Sequence, residues 1–244
     1  MTMLLNCDLG ESYGSWTMGL DHQVMPFINQ ANIACGFHGG DPLTIQKTLV
    51  LAEKHNVTVG AHPAYPDLVG FGRRSMNLAP EELAATLLYQ ISALDGMALS
   101  EKQTLSYVKP HGALYNDMMA KPDVRATIMQ AIAHFHRPIT LMLQATPNAN
   151  LHREEATENG IELQFEAFAD RCYDNDGALL ARSKPGAVHS REKMLAQVLQ
   201  LRDFGTVTTV DGELIELRPD TLCVHGDNAE GVAAIQEIRA LVDG

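Results

Sequence analysis

The 244-residue chain is 45% hydrophobic, which allows a sizeable core, and its length suits one large domain or two small ones. Its formal net charge of -12 argues against a nucleic-acid or anionic-membrane surface, although a local site can still bind an anionic substrate. We see no run of about 18 apolar residues and therefore expect no membrane span.

The amino terminus and the cysteines favour a cytoplasmic protein. Residues 1–6 (MTMLLN) lack the basic region and long apolar core of a signal peptide. The four cysteines are widely spaced and form no C-x-x-C pair, so we predict reduced thiols that mostly act as small hydrophobes. They are Cys7, Cys35, Cys172 and Cys223.

Short apolar runs alternate with longer helical segments along the chain. The predicted strands are 3–9, 32–36, 57–62, 105–111, 139–144, 162–169 and 221–225. The predicted helices are approximately 21–28, 42–56, 80–99, 122–136, 147–159, 190–204 and 228–242. Four of these helices begin at proline, which is favoured at the first helical position.

Repeated strand-then-helix order predicts parallel strands joined by right-handed crossovers. Seven such units favour a single seven-stranded (β/α) barrel domain over residues 1–244, with an open doubly wound sheet as the alternative. Segment 206–217 breaks the alternation, because polar and apolar residues alternate around Asp211-Gly212. This pattern predicts a β-hairpin inserted before the last strand.

Six of the seven predicted strands end in polar or titratable residues, where parallel α/β folds place their active sites. Alternate residues of a strand share a face, so Asn6 and Asp8 point one way, as do Tyr107, Lys109 and His111. Histidines lie at four predicted strand ends: His38, His62, His111 and His225. The other six lie in or beside helices and are predicted to be at the surface: His22, His55, His134, His136, His152 and His189.

This pattern is compatible with two kinds of chemistry. Asp8, His62 and His111 would form an Asp-His-His site for a divalent metal ion that polarises a carbonyl or activates water. Without a metal ion, Asp8 would be a general base, and a histidine or Lys109 would stabilise an oxyanion or phosphate. The sequence leaves both interpretations open.

The chain contains neither a P-loop nor a G-x-S-x-G motif, so any nucleotide site must be unconventional. The candidate phosphate ligands are the Gly39-Gly40-Asp41 helix start, Lys109, Arg73, Arg74, Arg171 and Arg182. Two of the acidic candidates have a simpler interpretation. Asp41 before Pro42 fits a helix N-cap, and Asp227 followed by Glu230 fits a capping box.

Seven segments together resemble the LamB/YcsF family, the lactam utilization family associated with the A subunit of prokaryotic 5-oxoprolinase. They are LNCDLGES (5–12), ANIACGFHGGDP (31–42), GAHPAYPDLVGFGRR (60–74), VKPHGALYN (108–116), FADRCY (168–173), DGALLARS (176–183) and CVHGD (223–227). The resemblance implies a seven-stranded barrel of the glycoside hydrolase/deacetylase type. It also implies ATP-dependent hydrolysis of 5-oxo-L-proline to L-glutamate, with ATP and Mg²⁺, together with separate B and C subunits.

When the family's motifs are matched to this sequence, the resemblance implies a site formed by residues at the ends of most strands. The implied catalytic residues are Asp8, His62, Lys109, His111 and Glu166. The implied substrate or nucleotide ligands are Asn6, Glu11, His38, Gly39, Gly40, Asp41, Tyr115, Asp170, Arg171, His225 and Asp227.

We assign roles within this set as hypotheses. Asp8, assisted by His62 or His111, would activate water; Lys109 and the Gly39-Gly40 amides would stabilise phosphate charge. Arg171 would hold the substrate carboxylate, which its planar guanidinium suits. Two alternatives remain at this stage: a metal-dependent deacetylase or amidohydrolase of a sugar or small amide, and a non-catalytic scaffold protein of the same complex.

Overall fold

A computed structural model describes residues 3–225 and 229–244 of the chain. Within these residues, seven parallel strands close into a barrel in the order β1-β2-β3-β4-β5-β6-β9. These strands are β1 (Leu4–Leu9), β2 (Gln30–Ala34), β3 (Thr58–His62), β4 (Tyr107–Val108), β5 (Thr140–Gln144), β6 (Leu163–Phe168) and β9 (Thr221–Val224). The predicted seven-stranded (β/α) barrel is confirmed, and the open sheet is wrong.

Helices surround this barrel between successive strands. They are α1 (Asp21–Val24), α2 (Pro42–Lys54), α3 (Pro80–Ser100), α4 (Gly112–Ala120), α5 (Pro122–Ala133), α6 (Ala149–Asn159), α7 (Arg191–Phe204) and α8 (Ala229–Asp243), with a 3₁₀ turn at Met25–Phe27. The prediction missed α4, because this helix is short and opens on glycine, a poor helix former. Leu114 and Met118 are both 0% exposed, and their packing stabilises α4 in spite of its low intrinsic helix propensity.

The barrel is apolar outside and polar inside. On β1, Leu5, Cys7 and Leu9 are almost fully buried and belong to the hydrophobic core. Asn6 and Asp8 alternate with them and form hydrogen bonds with polar groups of other strands. Helices α2 and α3 cover the outer face with side chains spaced three or four residues apart, such as Ile45 and Leu49 of α2. Burying each such leucine or isoleucine stabilises the fold by about 1.5–3 kcal/mol.

Helix α3 is the one helix among the described residues whose length and composition alone would allow it to cross a membrane. We did not expect any such segment. Helices that pack on a protein core can have the same length and composition. Helix α3 has such a buried face, formed by Leu83, Leu87, Ile91 and Leu94.

The predicted hairpin insertion is confirmed as β7 (Thr206–Thr208) paired with antiparallel β8 (Leu214–Glu216). Gly212 adopts a φ of +86° in its turn, which suits glycine. The Val210 amide donates to the Tyr173 carbonyl at 2.8 Å, so the hairpin is tied to the loop that follows β6. The four cysteines are buried and free of disulfides, as predicted.

Candidate active site

A cavity of about 580 Å³ opens at the carboxyl ends of the barrel strands, a volume in the usual range for small-molecule sites. Eight predicted site residues line it: Asp8, Glu11, His62, Lys109, His111, Tyr115, Arg171 and His225. Four more contact this lining from behind: Asn6, His38, Glu166 and Asp170. Asp227 lies outside the described residues.

Lys109 lies at the centre of a group that we call the lysine cluster: Asn6, Asp8, Asn32, Lys109 and Glu166. Its Nζ is 2.9 Å from Asp8 Oδ1 and 3.0 Å from Glu166 Oε2, and the side chain is only 3% exposed. Asn6 Oδ1 lies 3.4 Å from the same nitrogen. Asn32 donates to Asp8 Oδ1 at 2.7 Å and to Asn6 Oδ1 at 2.8 Å. The ammonium therefore neutralises buried carboxylates, and its protons are directed at them rather than at a phosphate.

The charges of this cluster persist at neutral pH. Burial raises the pKa of Asp8, but the charges of His62 and Lys109 outweigh it and hold that pKa well below its usual value. Burial lowers the pKa of Lys109, yet the charges of Asp8 and Glu166 raise it well above the ordinary value. Asp8 is therefore a carboxylate and Lys109 an ammonium at the mouth of the cavity.

Beside it lies the histidine cluster, which consists of Glu11, His38, His62 and His111. His62 Nε2 is 3.0 Å from His111 Nδ1, and Glu11 Oε1 is 3.1 Å from His38 Nε2 and 3.5 Å from His111 Nδ1. The His38 and His111 rings stack with centroids 3.7 Å apart and planes 5° apart, and His62 meets both edge-on. All four side chains are buried.

Backbone carbonyls fix the tautomers of two of these histidines. His62 Nδ1 is 2.7 Å from the Lys109 carbonyl oxygen, and His111 Nε2 is 3.0 Å from the Phe71 carbonyl oxygen. Since a carbonyl oxygen can only accept, both of these ring nitrogens carry protons. The lone pairs of His62 Nε2 and His111 Nδ1 consequently face each other when both rings are neutral.

The loop between β3 and α3 holds this geometry. Phe71, whose carbonyl oxygen accepts from His111, has a φ of +53°, a strained conformation for a bulky residue. At Gly72 a Cβ atom would come within 2.8 Å of His111 and 2.9 Å of His38, so only glycine fits. The Asp67 carbonyl and side chain accept from the amides of Gly72 and Gly70 and close the loop.

The chemistry of these residues fits a metal ion, although the predicted ligand set changes. Glu11, His38, His62 and His111 offer ligand atoms that all lie within 4.8 Å of one another. Asp8, which we predicted as a ligand with His62 and His111, instead groups with Cys223 and His225. Its Oδ2 is 3.3 Å from His62 Nε2, so it borders the histidine cluster.

Four buried polar atoms near the cavity have no hydrogen-bond partner among the described residues: the Tyr115 hydroxyl, Glu166 Oε1, His38 Nδ1 and His152 Nδ1. Burial, the charge of Glu166 and a weak contact of its carboxylate with the hydroxyl raise the pKa of Tyr115 well above its usual value, so the phenol stays protonated. Tyr115 lines the cavity and can donate to a bound molecule.

On the opposite side, Asp170 orients His225. His225 Nδ1 lies 2.9 Å from Asp170 Oδ1, and the His225 ring stacks on Phe168. The buried Asp170 carboxylate can only accept, so His225 Nδ1 carries a proton and the ring is held in one orientation.

Four predicted ligands are engaged in local structure instead. Asp41 caps α2 by accepting from the amides of Leu43 and Thr44, which confirms its simpler interpretation. The Gly40 amide donates to the Ser12 carbonyl oxygen at 3.2 Å, which removes it from the predicted phosphate cradle. At Gly39 a Cβ atom would lie 2.7 Å from the Glu11 carbonyl oxygen, so this glycine allows close packing.

Arg171 is the fourth, because its guanidinium holds the loop after β6. Nη2 donates to the Leu180 carbonyl oxygen at 2.6 Å, and Nε donates to the Ala187 carbonyl oxygen at 3.3 Å. The predicted role in holding a substrate carboxylate therefore competes with a structural one. Arg73 and Arg182 also line the cavity.

Sequence reasoning misplaced or missed several residues of the site. His152, predicted at the surface, is buried and lines the cavity, because α6 turns this face toward the barrel mouth. Asn32 was not selected, although it begins a predicted strand and shares the polar inner face with Asp8, which was a usable signal. Phe71 acts through its carbonyl oxygen, for which its side chain gives no signal.

The sequence matches the LamB/YcsF family over residues 3–244. The A subunit of 5-oxoprolinase from Pseudomonas fluorescens (strain Pf0-1) is 54% identical over 238 residues, which cover 97% of this chain and 95% of that protein. Its counterpart of the same name from Vibrio cholerae (strain O395) is 50% identical over 243 residues, covering 99% and 98%. A lactam utilization protein from Thermus thermophilus has a similar crystal structure, with a TM-score of 0.90, 39% identity and coverage of 100% and 96%.

Proposed function

The chain belongs to the LamB/YcsF family, and from this premise we propose that it acts as the A subunit of a 5-oxoprolinase. The enzyme would hydrolyse the lactam of 5-oxo-L-proline to L-glutamate and ATP to ADP and phosphate. The observation that carries the proposal is a cavity lined by an ionised aspartate and buried histidines, in a chain about half identical to proteins of that name over almost its whole length.

The proposed reaction explains why ATP would be needed. A five-membered lactam is a stable amide, and its hydrolysis is slow and thermodynamically poor. Transfer of the γ-phosphoryl group to the amide oxygen would make the carbon more electrophilic and release ADP. One water molecule would then add to that carbon, and the C–N bond would break as the nitrogen gains a proton. A second water molecule would release phosphate from the resulting acyl phosphate.

Within this scheme we assign Asp8 to the attacking water. Its carboxylate is ionised, its Oδ1 is held by Lys109 and Asn32, and its Oδ2 lies on the histidine-cluster side. A carboxylate with such a low pKa is a weak base by itself. Asp8 would therefore orient the water and accept a proton only from water that is already activated.

The other residues bind the substrates in this proposal. The Tyr115 hydroxyl would donate to an oxygen atom of the lactam substrate, because it is buried, protonated and without a partner among the described residues. Arg73 and Arg182 line the cavity and provide positive charge for the substrate carboxylate or for phosphate. Lys109 would keep Asp8 ionised and in place.

We propose that the complete enzyme also contains B and C subunits and uses ATP with Mg²⁺. The names of the relatives, which describe one subunit of an enzyme, support a multisubunit assembly. A metal-dependent amidohydrolase that works without ATP is the second candidate, favoured by the four converging ligand atoms of the histidine cluster. A purely scaffolding role fits poorly with so many buried titratable groups around one cavity.

Reconstitution tests the proposal. Glutamate and ADP release from 5-oxoproline and ATP should be measured with this chain alone, with the B and C subunits alone, and with all three. We expect release only from the full mixture. Equal release by the B and C subunits alone would overturn a catalytic role for this chain, and ATP-independent hydrolysis of small amides by the isolated chain would favour the second candidate.

A further inference from the structure

We propose that the histidine cluster binds one divalent transition-metal ion of the zinc class through Glu11, His62 and His111, with His38 as the fourth ligand. This set replaces the Asp8-His62-His111 triad expected from the sequence. Binding is a property of this chain and does not depend on the proposed function.

The first argument concerns hydrogen bonding. His62 Nε2 and His111 Nδ1 lie 3.0 Å apart, and each ring has its proton on the other nitrogen, where a carbonyl oxygen accepts it. The further atoms that approach these two nitrogens are carboxylate oxygens, Asp8 Oδ2 at 3.3 Å and Glu11 Oε1 at 3.5 Å. When both rings are neutral, acceptors therefore face acceptors in a buried space, an arrangement that is unfavourable unless a proton or a metal cation lies among them.

A proton would satisfy this arrangement only in part. One extra proton on His62 Nε2 can point at His111 or at Asp8, but not well at both. When that proton points at Asp8, His111 Nδ1 keeps an unshared lone pair beside Glu11 Oε1, 3.5 Å away. A single metal ion accepts electron pairs from all of these atoms at once.

The distances support an ion of ordinary size. Zinc–ligand bonds of about 2.0–2.1 Å in a tetrahedral site place neighbouring ligand atoms about 3.3–3.4 Å apart. The closest pairs in the cluster are separated by 3.0, 3.1 and 3.5 Å. All four ligand atoms lie within 4.8 Å of one another, and the His38 ring, now stacked on His111, must tilt for both rings to bind one ion.

The surroundings resemble those of a prepared metal site. Backbone carbonyls accept from the far ring nitrogens of His62 and His111 and so orient both rings, as such acceptors do in metalloproteins. Glu11, His62 and His111 line the cavity, which gives an ion a path of entry. Three imidazoles and one carboxylate favour zinc and similar ions over magnesium or calcium.

His38 has a less constrained role. Its Nε2 faces Glu11 Oε1 at 3.1 Å, and its buried Nδ1 has no partner among the described residues. With its proton on Nδ1, His38 supplies the fourth ligand. With its proton on Nε2 it would only orient Glu11, so we expect its substitution to weaken binding less than substitution of His62.

If the proposed function is correct, the bound ion would also activate the attacking water molecule. A metal ion lowers the pKa of a bound water molecule. Asp8 Oδ2 lies 3.3 Å from His62 Nε2, at the border of the same cluster, where it could accept a proton from such a water molecule. This consequence rests on the proposed function, whereas binding itself does not.

The test uses the full-length chain alone, freed of metal by chelation and dialysis. Co²⁺ is titrated while the visible absorption of four-coordinate cobalt is recorded, and Zn²⁺ is then added to displace it. We expect one ion per chain and intense cobalt bands. His62→Ala and Glu11→Gln should lower the affinity more than 100-fold, and His38→Gln by about 10–100-fold, the usual range for supporting residues.

Two further variants separate the alternatives. His136→Ala changes a largely exposed histidine outside the cavity lining and should bind like the wild type. Asp8→Asn should keep the ion, and circular dichroism checks that each variant is folded. If the wild-type chain fails to bind one metal ion per chain, the proposal is overturned. Loss of binding in Asp8→Asn with full binding in Glu11→Gln would also overturn it and restore the original triad.

Discussion

The lysine cluster and the histidine cluster lie side by side at the same barrel mouth, but they differ in how their hydrogen bonds are completed. In the lysine cluster, donors meet acceptors except at Glu166 Oε1, which has no partner among the described residues: the Lys109 ammonium lies between two carboxylates, and Asn32 donates to Asp8. In the histidine cluster, His62 and His111 direct lone pairs at each other when both rings are neutral.

The difference indicates which cluster is structural and which is prepared for a ligand. A buried charge network that is satisfied internally holds its residues in fixed positions and has little capacity for another ion. A buried set of converging acceptors is complete only when something positive binds. Asp8 belongs to the first cluster through Oδ1 and faces the second through Oδ2.

Removing the cation of the lysine cluster should have the largest effect on stability. Lys109→Met would leave Asp8 and Glu166 buried without their cation, and removal of one partner of such a pair destabilises a protein by about 3–5 kcal/mol. Urea unfolding measures this loss, with Lys121→Met as a partly exposed control.

The double variant Lys109→Met/Glu166→Gln isolates the electrostatic cause. Neutralising one carboxylate should restore part of the stability lost in Lys109→Met, since fewer like charges remain uncompensated. If the single variant were as stable as the wild type, the lysine cluster would not be the structural element described here.

Binding of a metal ion to the histidine cluster should stabilise the protein. Free zinc at about 100 times its dissociation constant should raise the free energy of unfolding by about 2.7 kcal/mol, because only the folded chain presents the site. Thermal unfolding with zinc and with a chelator measures the difference. Glu11→Gln should show almost no response to zinc, and an equal response in that variant would place the ion elsewhere.

Removing the Tyr115 hydroxyl should affect binding without affecting folding. Tyr115→Phe should raise the KM for 5-oxoproline about tenfold, the effect of losing one hydrogen bond of about 1.4 kcal/mol. Its stability should stay within about 1 kcal/mol of the wild type, because only a weak contact with Glu166 is lost.

Tyr65→Phe is the matched control, since the Tyr65 hydroxyl donates to Asp117 at 2.9 Å outside the cavity lining. That variant should lose stability while its KM stays unchanged. The opposite pattern in the two variants would show that Tyr115 has a structural role instead.

The smallest effect is expected outside the cavity lining, where Arg125 forms a bidentate pair with Glu155 at 2.7 and 2.8 Å. The hydrogen bonds from Arg125 hold the pKa of Glu155 below its usual value. Glu155→Gln should lower stability by about 1 kcal/mol at pH 7.

The pH dependence of that difference follows from the sign of the shift. A carboxylate with a lowered pKa stabilises the fold above its unfolded pKa, and this contribution is lost as the pH falls through the folded pKa. The gap between the wild type and Glu155→Gln should therefore shrink below about pH 4. The exposed neighbour variant Glu154→Gln should show no such gap.

Periodicity predicted much of this molecule. Strict alternation placed Asn6, Asp8 and Lys109 on the inner face, and strand-end position brought His62 and His111 together. These results follow from covalent geometry, since alternate side chains of a strand share a face.

The remaining features depend on contacts that no local pattern encodes. The tautomers of His62 and His111 are set by carbonyl oxygens of Lys109 and Phe71, which are distant in the sequence. Glu11 becomes a candidate ligand because a loop brings it to His38. Nothing in the local pattern indicated that Arg171 would bind the loop after β6 rather than point freely into the cavity.

The central claim is that the chemistry of the proposed enzyme takes place at this barrel mouth, with Asp8 beside the reacting water. The most direct test is glutamate release by the three-subunit enzyme assembled with Asp8→Asn in place of the wild-type chain. We predict unchanged assembly, an unchanged metal content and a loss of turnover of about 100-fold or more, as expected for a residue that handles the proton. Normal turnover by the assembled variant would contradict the account and move the chemistry to one of the partner proteins.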